Sequence, residues 1–137
     1  MKENFIEKLT EDFAVRIINL YKFLHSEKKE YVLSKQLLRC GTSIGANVNE
    51  AEGGISTNVF IAKLQISLKE ARETKYWLRL LYRTDYLDDK EYKSIYNDAC
   101  LVEATLVKIL KSKKENKEKL EKEEKDKKQS STNDKEK

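Results

Sequence analysis

Proline is absent from this 137-residue chain, and glycine occurs only four times. A β-sandwich or barrel needs many tight turns, which draw on those two residues, so their scarcity argues against an all-β fold. Long helices do well without either. Cysteine is nearly missing too: Cys40 and Cys100 cannot build a disulfide framework or a four-ligand zinc site. Both fall on apolar helix stripes, where a free thiol packs as a small hydrophobe. The single histidine, His25, has Lys22 three residues before it, so the Glu-x-x-His pair of a di-iron bundle is lacking. No local serine or thiol signature accompanies it, which removes the usual grounds for a catalytic triad. Catalysis, a cofactor and a bound metal are therefore not expected. No window approaches the roughly 18 apolar residues of a membrane span. Met1-Lys2-Glu3-Asn4 leads into a charged amphipathic stretch and not an uninterrupted apolar signal region, so the expected location is cytoplasmic.

What the chain has in abundance is charge, at 38% of residues beside 39% hydrophobic. Its net charge of +4 is unevenly placed, because positions 111–137 hold 11 lysines and 8 acidic residues. Positions 1–110 carry 17 basic against 16 acidic residues, a net of +1, so any nucleic-acid site must be a local patch.

The length suits one domain with one modest core. Four segments repeat apolar or small residues at steps of three and four, the signature of amphipathic helices. The first runs from about Asn4 to Ser26, with Phe13, Ile17, Leu20 and Leu24 on its seam. After a charged link, Glu27 to Glu30, the second spans about Tyr31 to Glu52 with Leu33, Leu37, Cys40, Ile44, Val48 and Ala51 in register. Gly53-Gly54 should stop it through a left-handed residue. Ser56 or Thr57 can cap the third helix, whose seam is Phe60, Leu64, Ser67, Ala71, Thr74, Leu78 and Leu81. A link over 84–87 leads to Asp88 and Asp89, suited to a helix N-terminus, and then to Tyr92, Ile95, Ala99, Val102, Leu106 and Ile109. Short links between four helices predict an all-α, antiparallel up-down-up-down four-helix bundle over 1–114. Past Leu110 the seam ends, and Glu–Lys pairs can prolong the last helix for a few turns. The charged tail, 115–137, is expected to fray and lose order for want of apolar surface.

Two polar runs interrupt the apolar pattern. Gly41-Thr42-Ser43-Ile44-Gly45-Ala46-Asn47 superficially resembles a phosphate loop, but the lysine such a loop needs is missing and the periodicity is helical. Close helix packing is the better reading of its glycines, each costing roughly 0.8–1.0 kcal/mol of helix propensity. Asn47, Asn49, Glu50 and Glu52 crowd the end of the second helix, where an Asn can fix register and a Glu can pair with a basic residue of another helix.

The feature with most bearing on function is Arg72, Lys75, Arg79 and Arg83, spaced three, four and four along one face of the third helix and flanked by Tyr76 and Trp77. Arginines beside aromatics suit phosphate contact and base stacking. Lys35 and Arg39 on the second helix are candidates to extend the stripe. Glu70 and Glu73 stand close enough to pair with it within the helix, so a subunit contact and a plainly solvated face stay open beside RNA or DNA.

The runs QLLRCGTSIGANVNEAEG (36–53) and KEARETKYWL (69–78) resemble the bacterial four-helix-bundle family, also called 23S rRNA intervening-sequence proteins. The resemblance covers roughly Phe5 to Lys114 and leaves out the charged tail. It implies a left-handed up-down bundle, a ring-like homopentamer and no catalytic activity. A related branch, the accessory proteins of diversity-generating retroelements, implies nucleic acid and a protein as partners. The expected partners are thus further copies of the chain, RNA or DNA, or a separately encoded protein.

Overall fold

The structure is a computed structural model that describes residues 2–54 and 56–136, so Met1 and Lys137, the outer limits of the expected bundle and tail, lie outside it. Four helices follow one another: α1 (Lys2–Ser26), α2 (Leu33–Glu52), α3 (Thr57–Arg83) and α4 (Asp89–Glu136). Among the described residues there is no strand, and the fold is all-α. Each helix packs on two neighbours, α1 on α2 and α4, and α3 on α2 and α4. Contacts between neighbours step in opposite directions along the two chains. Glu50, Ile44 and Cys40 of α2 meet Lys63, Ser67 and Thr74 of α3 in that order.

The core follows the expected seams with local shifts. Phe13, Ile17 and Leu24 are buried on α1, and Ile6 joins them one helical repeat earlier. On α3 the seam enters through Ile61, leaving Phe60 half-buried, and on α4 it ends at Leu110, leaving Ile109 half-buried. The polar seam positions are satisfied inside the bundle. Ser67 donates its hydroxyl to the Ile44 carbonyl, and the Thr74 hydroxyl reaches Cys40 Sγ at 3.2 Å and the Glu70 carbonyl at 2.8 Å. These bonds matter because an unpaired buried hydroxyl costs about 1–3 kcal/mol.

The glycines of α2 sit where α1 comes nearest. A Cβ on Gly41 would stand 2.7 Å from Ile17 Cγ2 and 2.8 Å from Cγ1, and one on Gly45 would stand 3.4 Å from the Thr10 carbonyl oxygen. Close packing therefore accounts for the glycine-rich run. At the polar end of α2 the pairing expected of a glutamate is present, but the register-fixing bond expected of an asparagine is not made by Asn47. Glu50 pairs with Lys63 of α3 at 2.6 Å, and the Asn47 amide stays within its own helix, donating to the Ser43 carbonyl at 2.9 Å.

The helix ends correct the sequence in two places. No described glycine has a positive φ; α2 ends at Gly53 with φ −85°, so Gly53-Gly54 stops the helix without the left-handed turn expected of it. Gly54 is needed for room, since a Cβ there would lie 2.9 Å from the Ala51 carbonyl oxygen. The left-handed residues are instead Lys29 (φ 55°) and Asp85 (φ 69°), which close α1 and α3. Around Asp85 the Tyr86 amide donates to the Leu81 carbonyl (2.9 Å) and the Asp85 amide to that of Tyr82 (3.1 Å), the paired bonds of a Schellman end. Second, Glu30 is no solvated linker residue. It is 7% exposed, and its carboxylate accepts the amides of Val32 (3.1 Å), Leu33 (2.8 Å) and Ser34 (2.6 Å), capping an α2 whose own N-cap, Val32, has no side chain to offer. Ser56 caps α3 through the Val59 amide at 3.2 Å, and Asp88 and Glu91 form a reciprocal capping box on α4.

The charged segment beyond Leu110, expected to unravel after a few turns, continues as helix to Glu136. Helix-spaced Lys–Glu neighbours such as Lys117 and Glu121, 3.9 Å apart, favour it. At about 1.5 Å per residue it projects roughly 40 Å past the seam. No helix of the described chain is long and apolar enough to cross a membrane.

Two stability measurements check this account. Burial alone would raise the Glu30 carboxyl pKa, but the three amides and Ser34 outweigh it and hold it below the usual value. The cap should thus be at full strength above the unfolded glutamate value of about 4.3 and fade as pH falls through the lower native one. Glu30→Ala should cost about 1–2 kcal/mol in urea unfolding at pH 7, with the deficit shrinking toward pH 3. Gly41→Ala should destabilise, because overpacking against Ile17 costs about 1–3 kcal/mol against a propensity gain of about 1. Gly45→Ala, with looser contact, should stay within about 1 kcal/mol of wild type in the same assay.

Candidate functional site

The α3 stripe is built by helical spacing, and the bundle then brings α4 alongside it. Arg72 Nε lies 3.1 Å from Glu103 Oε2, and Lys75 Nζ lies 2.9 Å from Glu103 Oε1, so one α4 carboxylate neutralises two of the four cations. The hydrogen bond from Lys75 pulls the Glu103 carboxyl below its ordinary range against the opposing effect of burial, with Arg72 assisting. The same bond raises the Lys75 ammonium. Arg79 is held differently: its Nη1 donates to the Tyr96 hydroxyl at 3.2 Å, and its Cζ stands 5.9 Å from the centre of the Tyr76 ring. Both contacts leave its charge uncompensated. Arg83 is exposed, and no carboxylate lies within ion-pair distance of it among the described residues.

Lys35 and Arg39 do not extend this stripe. They stand on α2, which touches α3 on the flank away from α4. There Arg39 Nη1 meets Glu70 at 3.4 Å, and Nη2 is bonded to Glu73. The two glutamates expected to pair within α3 are therefore turned to the neighbouring helix. Glu73 also accepts from Trp77 Nε1 at 3.4 Å; burial raises its carboxyl pKa, but Trp77 and Arg39 together bring it below normal. Lys35 is exposed and has no acidic partner among the described residues.

Beneath Arg39, the sulfur of buried Cys40 and one oxygen each from Glu70 and Glu73 lie within 4.8 Å of one another. That donor set suits a metal poorly. Burial pushes the thiol up to about 11, so it stays protonated, and the guanidinium already occupies both carboxylates. His25 is exposed, set between the rings of Tyr21 (5.7 Å) and Tyr31 (4.8 Å).

Near the α3–α4 corner, Tyr82, Tyr92 and Tyr96 form a ladder with ring centres 4.2 Å and then 5.0 Å apart. The Tyr82 hydroxyl donates to Asp89. Arg83 borders a hollow of about 610 Å³ there whose rim also carries Asp85, Asp88 and Asp89, an acidic setting for a phosphate contact. A second surface has no forerunner in the sequence pattern. Arg16 clasps Asp98 (2.5 Å) and Ser94 Oγ (3.0 Å) across α1 and α4. Nearer the start of α1 the two helices border an open groove of about 1010 Å³. Phe5, Ile6, Phe60, Leu101 and Ile109 supply its apolar lining, and Lys108 and Lys111 lie along its α4 side.

Four helices packed around one apolar seam, tied across their flanks by ion pairs, define an all-α bundle. Residues 2–108 match the 23S rRNA-intervening sequence protein family, and the chain belongs to that family. A crystal structure of a protein of unknown function from the S23 ribosomal protein family of Bacteroides thetaiotaomicron is similar to it, with 55% identity and a TM-score of 0.80, over 81% of this chain and 99% of that one. No curated protein matches the chain.

The difference between the two sets of ion pairs is open to measurement. Glu103→Gln strands the partly buried Lys75 and should lower stability by about 1.5–3 kcal/mol, the worth of a charge-assisted bond. Arg39→Ala, at a more exposed pair, should change it by less than about 1 kcal/mol. Equal effects in denaturant titrations would contradict the assignment.

Proposed function

We propose that this protein is a non-enzymatic, self-associating helical module that works by presenting its faces to protein partners. The observation that carries this reading is the α1–α4 groove, an apolar surface open to solvent and edged with lysines. Contiguous apolar surface of that kind is characteristic of protein contacts. The basic stripe supports the same ranking, since Arg72 and Lys75 are already matched to a carboxylate, as is Arg39 on the other flank.

A second reading, RNA or DNA contact, is favoured by Lys35, Arg79 and Arg83, which have no carboxylate partner among the described residues, and by the half-exposed Tyr76 beside Arg79. The family's description, which names 23S rRNA, points the same way. A ring of copies would multiply such a small patch by avidity.

The test is light scattering on nuclease-treated protein, followed by titration with labelled structured RNA and duplex DNA at two salt concentrations. An assembly that binds neither polymer supports the module. Phosphate binding would weaken steeply with salt, by a log–log slope of about 0.7–0.9 per phosphate neutralised. It would also fall in Arg79→Ala/Arg83→Ala and rise in Glu103→Gln, which frees Arg72 and Lys75; that triple result would overturn the ranking in favour of nucleic acid.

A further inference from the structure

Past the bundle α4 runs on alone. The family match ends at residue 108, the seam ends at Leu110, and residues 118–131 are all exposed. A lone helical segment of this length is marginal in water because its first turn is costly to nucleate. Here the packed half of α4 has already supplied that nucleus, and the helix continues from it without a break. Residues 111–131 hold no glycine, proline or β-branched residue, the types that most weaken a helix. Glu115, Glu118, Glu121, Glu123 and Glu124 each stand four residues before a lysine, the favourable orientation. At about 0.2–0.5 kcal/mol a pair, they add about 1–2.5 kcal/mol.

The same segment is ill suited to the usual partners of an exposed helix. Leu120, 60% exposed, is the one aliphatic side chain in it, too few for a coiled-coil seam or a membrane-lying face. Over 115–131 six lysines and six acidic residues cancel, which leaves no net charge to draw a polyanion. We propose that the extension of α4 is a self-supporting helix that serves as a rigid spacer, holding whatever engages its far end roughly 40 Å from the bundle. The spacer depends on neither reading of the outer faces. A flexible segment of the same length would span about 25–30 Å on average and sample every shorter distance. The helix replaces that spread with one length and, joined to the packed half of α4 without a hinge, one direction.

The experiment uses the full chain with Cys40→Ala and Cys100→Ala, spin-labelled through Asn97→Cys and Gln129→Cys, both at exposed positions. Pulsed dipolar spectroscopy, with labelled chains diluted into unlabelled ones, should give one narrow distance of about 48 Å, from the rise of about 1.5 Å per residue. A broad distribution centred well below that value rejects the spacer, because the extension is then a coil. A narrow distance that appears only at high protein concentration, or only with structured RNA, also rejects it and assigns the order to a second copy or to a polyanion. Leu120→Glu should leave the distance unchanged; a broadened one would mean that an apolar partner holds the helix, contrary to the proposal. Glu118→Gln/Glu121→Gln/Glu124→Gln keeps helix propensity but strips three pairs, and should at least double the width of the distribution. An unchanged width rejects support by pairing. Should the cysteine substitutions disturb the bundle, circular dichroism on the otherwise native chain decides: removing 115–137 should take away about a fifth of the molar helical signal, and no loss would overturn the proposal.

Discussion

The approach of α1 to α2 at Gly41 governs much of the bundle. Ile17 lies where a side chain on Gly41 would begin, so the two helices stand closer than ordinary residues allow. Ile17 and Ile44 are completely buried there, and Cys40 on the same α2 seam meets Thr74 of α3. Proteins pack their interiors near crystal density, so a displacement of one helix passes to the next. The hydroxyls of Ser67 and Thr74 then find α2 partners where larger side chains would hold α3 away.

On the outer faces, electrostatics does what packing does inside. Glu103 gathers Arg72 and Lys75, Glu73 and Glu70 gather Arg39, Asp98 gathers Arg16, and Glu50 gathers Lys63. Each of these ties neighbouring helices together. Apart from the more buried Glu103–Lys75 pair they are modest singly, since exposed pairs contribute up to about 1 kcal/mol, but together they tie each helix to its neighbour. A face that looks like a cationic stripe on α3 alone becomes largely a seam of inter-helix pairs. Of the six cations that the sequence singles out, Arg79, Arg83 and Lys35 keep their charge unmatched among the described residues; they are split between two flanks and bordered at the α3–α4 corner by aspartates.

The remaining surface is more apolar than its position suggests. Below the Arg16–Asp98 clasp, α1 and α4 expose Phe5 and Leu101, and α1 exposes Val15 and Ile18 along its back. The four helices of the chain leave these side chains open to solvent.

Periodicity alone makes the helices and most of the core readable, because a step of 3.6 residues marks one buried face whatever lies opposite. Ser56, Asp88 and the stop after Glu52 are readable for a similar reason, since capping is local chemistry. Glu30 escapes such a reading because a glutamate in a charged linker looks solvated until the chain turns its carboxylate onto three amides. The left-handed turns fall on Lys29 and Asp85 and not on glycine, because the tertiary path demands them there. Glu103 lies 28 and 31 residues from the cations it neutralises, and the groove draws on α1, α3 and α4 at once. No spacing in one dimension encodes such meetings; they exist only once packing has set the helices side by side.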